Sequence, residues 1–176
     1  MKGKVIGVFV LAFTVFLMFQ GTSAQAASLD QWDIIKEYTL EQNSVRYHAY
    51  LTKDKKESWI YKAELMDKKK MLDVTFPSKI EGVPVTCVGV THELRSVIAE
   101  KENWPEGAAG LVYNLFNGAW EPSSGEEESY SLTTNVRSVV LPDTVTEMGV
   151  AAFSRMYNLQ SVHLSKRITY LDWYTF

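Results

Sequence analysis

Residues able to carry chemistry are few and scattered in this chain. Histidine occurs three times, as His48, His92 and His163, and cysteine once, as Cys87. A metal site needs several such ligands at short helical or turn spacing, and a nucleophile needs a base beside it. Each histidine here stands isolated, with no H-E-x-x-H, no G-x-S-x-G, no Cys–His motif and no glycine-rich phosphate loop. Asp and Glu are numerous, but no spacing singles out a pair for acid–base work. Cys87 lies in VTCVG between apolar neighbours, the setting of a small packing thiol. The reading is a non-enzyme with no cofactor, no catalytic residue and no metal site.

What the sequence offers instead is repetition. Placing Val136 over Leu159 brings Ser138 onto Ser161, Val139 onto Val162, Leu141 onto Leu164 and Val145 onto Ile168. The match continues through Thr146 on Thr169, Met148 on Leu171 and Phe153 on Phe176, an offset of 23 residues. A weaker copy lies upstream, where Val74, Phe76 and Pro77 stand as Val139, Leu141 and Pro142 do, before extra residues around Glu81–Gly82. Val139 and Leu141 are two apart, so they share one face of a strand while Val140 points away. Pro142 has no N–H and ends the ladder. Val145 and Met148 turn inward again, Gly149 is expected at positive φ, and Ala152 with Phe153 closes the coil. A single coil leaves its apolar face bare, whereas stacked coils bury a continuous one.

The stretch VRSVVLPDTVTEMGVAAFSRMYNL resembles the BspA-like leucine-rich repeat of surface and secreted, mostly bacterial proteins. Val139, Leu141, Pro142, Val145, Thr146, Gly149, Ala152 and Phe153 match its pattern, while Met156 stands at its cysteine position. In the last copy Ser165 replaces the proline and Asp172 the glycine. The resemblance implies a mixed α/β repeat fold, a leucine-rich-repeat solenoid, with a role in extracellular recognition or adhesion. Stacking would align the outward strand positions into two rows. Asp73, Ser138 and Ser161 form one, Thr75, Val140 and His163 the other, and these six are the candidate ligand-facing residues. The match ends in mid-coil at Phe176, which suggests the N-terminal piece of a longer protein.

The elements that must hold this face are read from periodicity. In one run Val45, Tyr47, Ala49 and Leu51 alternate with Arg46, His48 and Tyr50. Trp59, Tyr61, Ala63 and Leu65 form a second alternating set, and TKDKKES between the runs is a hairpin loop. SLDQWDIIKEYTLEQN before them fits either a strand or a short helix from Ser28. These residues, 27–70, are expected to form an N-terminal β-hairpin cap on a repeat region at 71–176. An insertion at 90–135 interrupts the repeats. There Asn103, Pro105 and Glu106 resemble a helix start, followed by Ala108, Leu111, Val112, Leu115 and Ala119 at helical spacing, then the acidic EPSSGEEES.

Residues 1–26 have the order of a secretory signal peptide. Lys2 and Lys4 precede the apolar run Val5–Phe19, and small residues follow at Ala24 and Ala26. That run is shorter than the roughly 20 residues a spanning helix needs, so no membrane span is expected after cleavage. The formal net charge is −3 and becomes more acidic once Lys2 and Lys4 leave. An acidic surface has no attraction for phosphate backbones, which argues against a nucleic-acid partner. The partner expected is an extracellular protein or glycan. Two other readings survive the sequence: repeats that act as a spacer for another domain, and a secreted enzyme or inhibitor acting through the insertion.

Overall fold

The computed structural model describes residues 34–92, 94, 95, 98, 112–116, 118–120, 135–172 and 174–176. The signal segment, the helix start at Asn103–Glu106 and the acidic EPSSGEEES lie outside these residues. The chain runs β1 (Ile34–Gln42), β2 (Val45–Thr52), β3 (Ser58–Leu65), β4 (Leu72–Thr75), β5 (Lys79–Ile80) and β6 (Val83–Val88). It continues as β7 (Val112–Asn114), β8 (Gly118–Trp120), β9 (Val136–Val140), β10 (Glu147–Met148) and β11 (Ser161–His163). The open question at residues 28–43 resolves as strand from Ile34.

Two short turns set the antiparallel register. Asn43 and Ser44, at φ 52° and 65°, join β1 to β2, and Glu81 and Gly82, at φ 50° and 81°, join β5 to β6. Consecutive positive-φ residues give the turn whose twist matches paired strands. The β1–β2–β3 meander then continues through β3 into β6 and β10, both joined in parallel, forming one mixed sheet. A separate parallel sheet has the order β11–β9–β4.

The core lies between these sheets. Val45, Tyr47, Ala49 and Leu51 of β2 pack with Ile60 and Ala63 of β3 against Val74, Val139, Leu141, Val145 and Phe153. Tyr47 packs at a tilt against Phe76, the rings 5.2 Å apart and 56° from parallel, and its hydroxyl donates to the Thr75 carbonyl at 3.3 Å. Burial raises the Tyr47 pKa well above that of an ordinary phenol. A second cluster covers the other side of the meander, built from Tyr50, Tyr61, Val90, Leu94 and Ile98 with Trp59 against it.

Four expectations are corrected by this arrangement. First, the mixed α/β leucine-rich-repeat solenoid with a helical insertion is overturned, because every element among the described residues is a strand. Helical backbone is confined, among those residues, to His92, Leu94, Arg95 and Ile98. A solenoid coil touches only its neighbours, whereas here β3 from the N-terminal part pairs with β6 of the repeat region. Second, Val112 and Ala119, read as one helix, sit on opposite arms of the antiparallel β7–β8 pair. Asn114 turns the chain there, its side-chain oxygen accepting the Phe116 N–H at 2.8 Å.

Third, Trp59 and Tyr61 face away from Ala63. The β2–β3 register shifts between His48 and Ala49, so Lys62 opposes His48 while Ile60 opposes Ala49. Tyr61 is the extra residue of a bulge, which reverses the alternation on its N-terminal side. Fourth, Gly149 lies outside the positive-φ set. It is small because a Cβ there would meet the Val90 backbone nitrogen at 2.2 Å. Gly89, at φ 96°, is the neighbour that uses positive φ.

Candidate functional site

The outer face of the parallel sheet is assembled by strand register. Val74 pairs with Val139 and Val139 with Val162, and these side chains point into the core. The residues between them must then point outward. Asp73, Ser138 and Ser161 fall in one row, and Thr75, Val140 and His163 in the next. Ladder bonds extend the frame at its C-terminal end, where the Phe76 N–H donates to the Val140 carbonyl and the Leu141 N–H to the His163 carbonyl, each at 2.9 Å. All six residues are exposed except Ser138, which is half-buried.

One residue of this face escaped the alternation. The β4–β9 register shifts between Leu72 and Asp73, so that Val136 and Ser138 are paired and Arg137 is the extra residue. The bulge places Arg137 and Ser138 together beside Asp73. The guanidinium donates to both carboxylate oxygens, through Nε at 3.0 Å and through a short second bond, while the Ser138 hydroxyl donates at 2.7 Å. These bonds, Arg137 first and Ser138 second, hold the Asp73 pKa down at about 2. Gln160 continues the row, since its N–H donates to the Arg137 carbonyl at 2.8 Å. A signal existed in the sequence: Asn135 and Asn158 also sit 23 apart, and their side chains meet at 3.4 Å.

Chemically the face is a planar, hydrogen-bonding surface with a fixed cation–anion pair, one exposed valine and one exposed imidazole. A fork-shaped guanidinium on a carboxylate holds its geometry better than two free side chains. Both partners are about half exposed, 53 % and 51 %, so solvent screens the pair and its value lies in orientation.

A second polar cluster lies on the meander, on the side away from the main core. Here the sequence reading passed over His48. Its Nδ1 lies 3.6 Å from Glu37 and its Nε2 lies 3.2 Å from Glu64, the latter without the alignment of a hydrogen bond. Lys62 reaches Glu64 at 2.9 Å, and Arg46 reaches Glu41 at 2.7 Å. The Tyr61 hydroxyl donates to Glu37 in a short bond. Lys62 above all holds the Glu64 pKa down at about 2. The arrangement is a set of polar contacts, Arg46–Glu41 across β1 and β2 and Lys62–Glu64 within β3 among them, and no group of three or more His, Cys, Asp or Glu among the described residues is placed to hold a metal ion. Cys87 is buried, with its thiol 3.9 Å from the Gly89 carbonyl. His92 is an exposed residue 3.6 Å from Asp172.

No protein-family model, no curated protein and no solved structure matches this chain. The architecture and the two polar clusters therefore carry the functional argument by themselves.

Proposed function

We propose that this chain is a secreted or cell-surface recognition protein, bacterial in origin, that binds an extracellular protein or glycan without catalysing a reaction. The binding surface in this reading is the outer face of β4, β9 and β11. The observation that carries it is the in-register pair of rows, Asp73–Ser138–Ser161 and Thr75–Val140–His163, on a backbone already ordered by parallel pairing. A preordered face loses little entropy when a ligand settles on it. The Arg137–Asp73 fork adds a fixed hydrogen-bonding element beside the rows.

The test is binding of the purified chain to glycan arrays and immobilised matrix proteins, repeated with a Thr75→Arg and His163→Glu double variant. The expected result is one class of ligand retained by the parent chain and lost at least tenfold by the variant. Equal binding by both proteins, or none by either, would remove the face from consideration.

A further inference from the structure

Residues 66–71, which join β3 to β4, are all exposed. They read Met-Asp-Lys-Lys-Lys-Met, three consecutive cations between two thioethers. Met66 is 54 % exposed and Met71 43 %. The loop nevertheless has a fixed shape. Asp67 accepts the Lys69 N–H on a carboxylate oxygen at 2.9 Å and the Lys70 N–H on its carbonyl at 3.4 Å, closing a turn. The Met66 N–H donates to the Ser44 carbonyl at 2.9 Å, and the Asn135 side chain donates to the Lys68 carbonyl at 2.7 Å.

The lysine charges are left for a partner. Both carboxylates beside them in sequence are engaged, Asp67 with the backbone of the turn and Asp73 with Arg137 and Ser138. Among the described residues, no ion pair reaches Lys68, Lys69 or Lys70. Ser44 and Asn135, which anchor the loop, are uncharged, as is Asn158 beside Asn135. Three lysines alone would suit any polyanion, but the flanking methionines narrow the choice. A soluble polyanion supplies charge and no apolar medium for a thioether, and so does the chain's own acidic run of Glu126, Glu127 and Glu128. An anionic bilayer supplies both, with phosphates for the ammonium groups and an acyl boundary for the apolar side chains next to them.

We infer that residues 66–71 dock this protein on the surface of an anionic phospholipid bilayer. Lys68, Lys69 and Lys70 meet the lipid phosphates, and Met66 and Met71 enter the acyl boundary on either side of them. The association is peripheral and needs no spanning segment. The chain is acidic overall, at −3, so attraction to such a surface is confined to this end and is screened by salt. This loop is distinct from the face proposed above, and either can fail without the other.

The test places a bimane fluorophore in the loop. Cys87 is buried, so Met71→Cys gives the full chain one accessible thiol, and the label reports this loop rather than the apolar residues 5–19. The labelled chain is titrated with vesicles of phosphatidylglycerol and phosphatidylcholine in equal parts, with phosphatidylcholine vesicles and with soluble polyglutamate. A blue shift of the emission is expected with the mixed vesicles alone, and raised salt should reverse it. Each lysine near an anionic surface is worth roughly fivefold in partitioning. A Lys68→Gln, Lys69→Gln, Lys70→Gln variant should therefore bind at least tenfold more weakly, while the corresponding triple arginine variant binds as the parent does. Met66→Ser should weaken binding at unchanged charge. Absence of a shift overturns the inference, as does an equal shift with neutral vesicles or equal loss in the glutamine and arginine variants. Polyglutamate that displaces the vesicles' effect would overturn it by making the occupant a soluble polyanion. A blue-shifted emission without lipid that is lost in a Glu126→Gln, Glu127→Gln, Glu128→Gln variant would overturn it by making the chain's own acidic run the occupant.

Discussion

Gly149 is held to a hydrogen side chain by its neighbours. A Cβ built on it would stand 2.2 Å from the Val90 nitrogen and 2.6 Å from the Gly89 carbonyl carbon, both backbone atoms. Its own N–H donates to the Val88 carbonyl at 2.8 Å, so the two strands cannot part without breaking that bond. Gly149→Ala is therefore expected to lower stability by at least the ~1–3 kcal/mol typical of overpacking, read from the urea midpoint. An unchanged midpoint would mean that the backbone at Val90 yields freely. Gly82 differs in kind, since a Cβ there meets nothing within 4 Å and only its φ of 81° opposes a side chain. The sequence marked Gly149 as a positive-φ residue, but the crowding there comes from a segment about 60 positions away and leaves no local sign.

At the scale of elements, bulges decide which side chains meet. Alternation correctly assigns Val45, Tyr47, Ala49 and Leu51 to one face of β2, because that strand keeps its step through these residues. The same rule misplaces Trp59 and Tyr61 and omits Arg137, each on a strand with a register shift. The bulge at Arg137 has a measurable consequence in acid. The folded-state pKa of Asp73, about 2, lies below the ~3.9 of a free aspartate. The stability it contributes is present above pH ~4 and is lost as pH falls from there toward 2. Arg137→Ala is expected to raise the Asp73 pKa toward its ordinary range, read by carboxyl carbon NMR, and to weaken the acid dependence of unfolding. A carboxylate titration unchanged by that substitution would show that Ser138 alone holds Asp73.

For the whole molecule, Leu115 is one of the residues that tie the inserted segment to the rest. It is fully buried in the main core. Its carbonyl accepts the Ala63 N–H at 2.8 Å, and its own N–H donates to the Ala152 carbonyl at 3.0 Å. One backbone unit thus links the meander to the repeat region. Leu115→Ala removes side-chain packing while keeping both bonds, and a loss of about 2–5 kcal/mol is expected. Chemical denaturation followed by tryptophan fluorescence and by far-UV circular dichroism checks it, with a single shared transition. Two separated transitions would show that the meander and the parallel sheet fold independently.

What the sequence alone determined about this protein is local and periodic. The two hairpin runs and the offset of 23 that aligns Ser138 with Ser161 follow from residues near one another in the chain or from a repeat that copies itself. Those are the features that steric preference and strand alternation write directly into order and spacing. Tertiary structure decided the rest. The β3–β6 pairing, the β7–β8 hairpin where helical spacing stood and the fork at Asp73 all depend on which distant strand arrives alongside. Helical and strand patterns are nearly degenerate over so short an apolar run, and burial against partners elsewhere in the chain settles the choice.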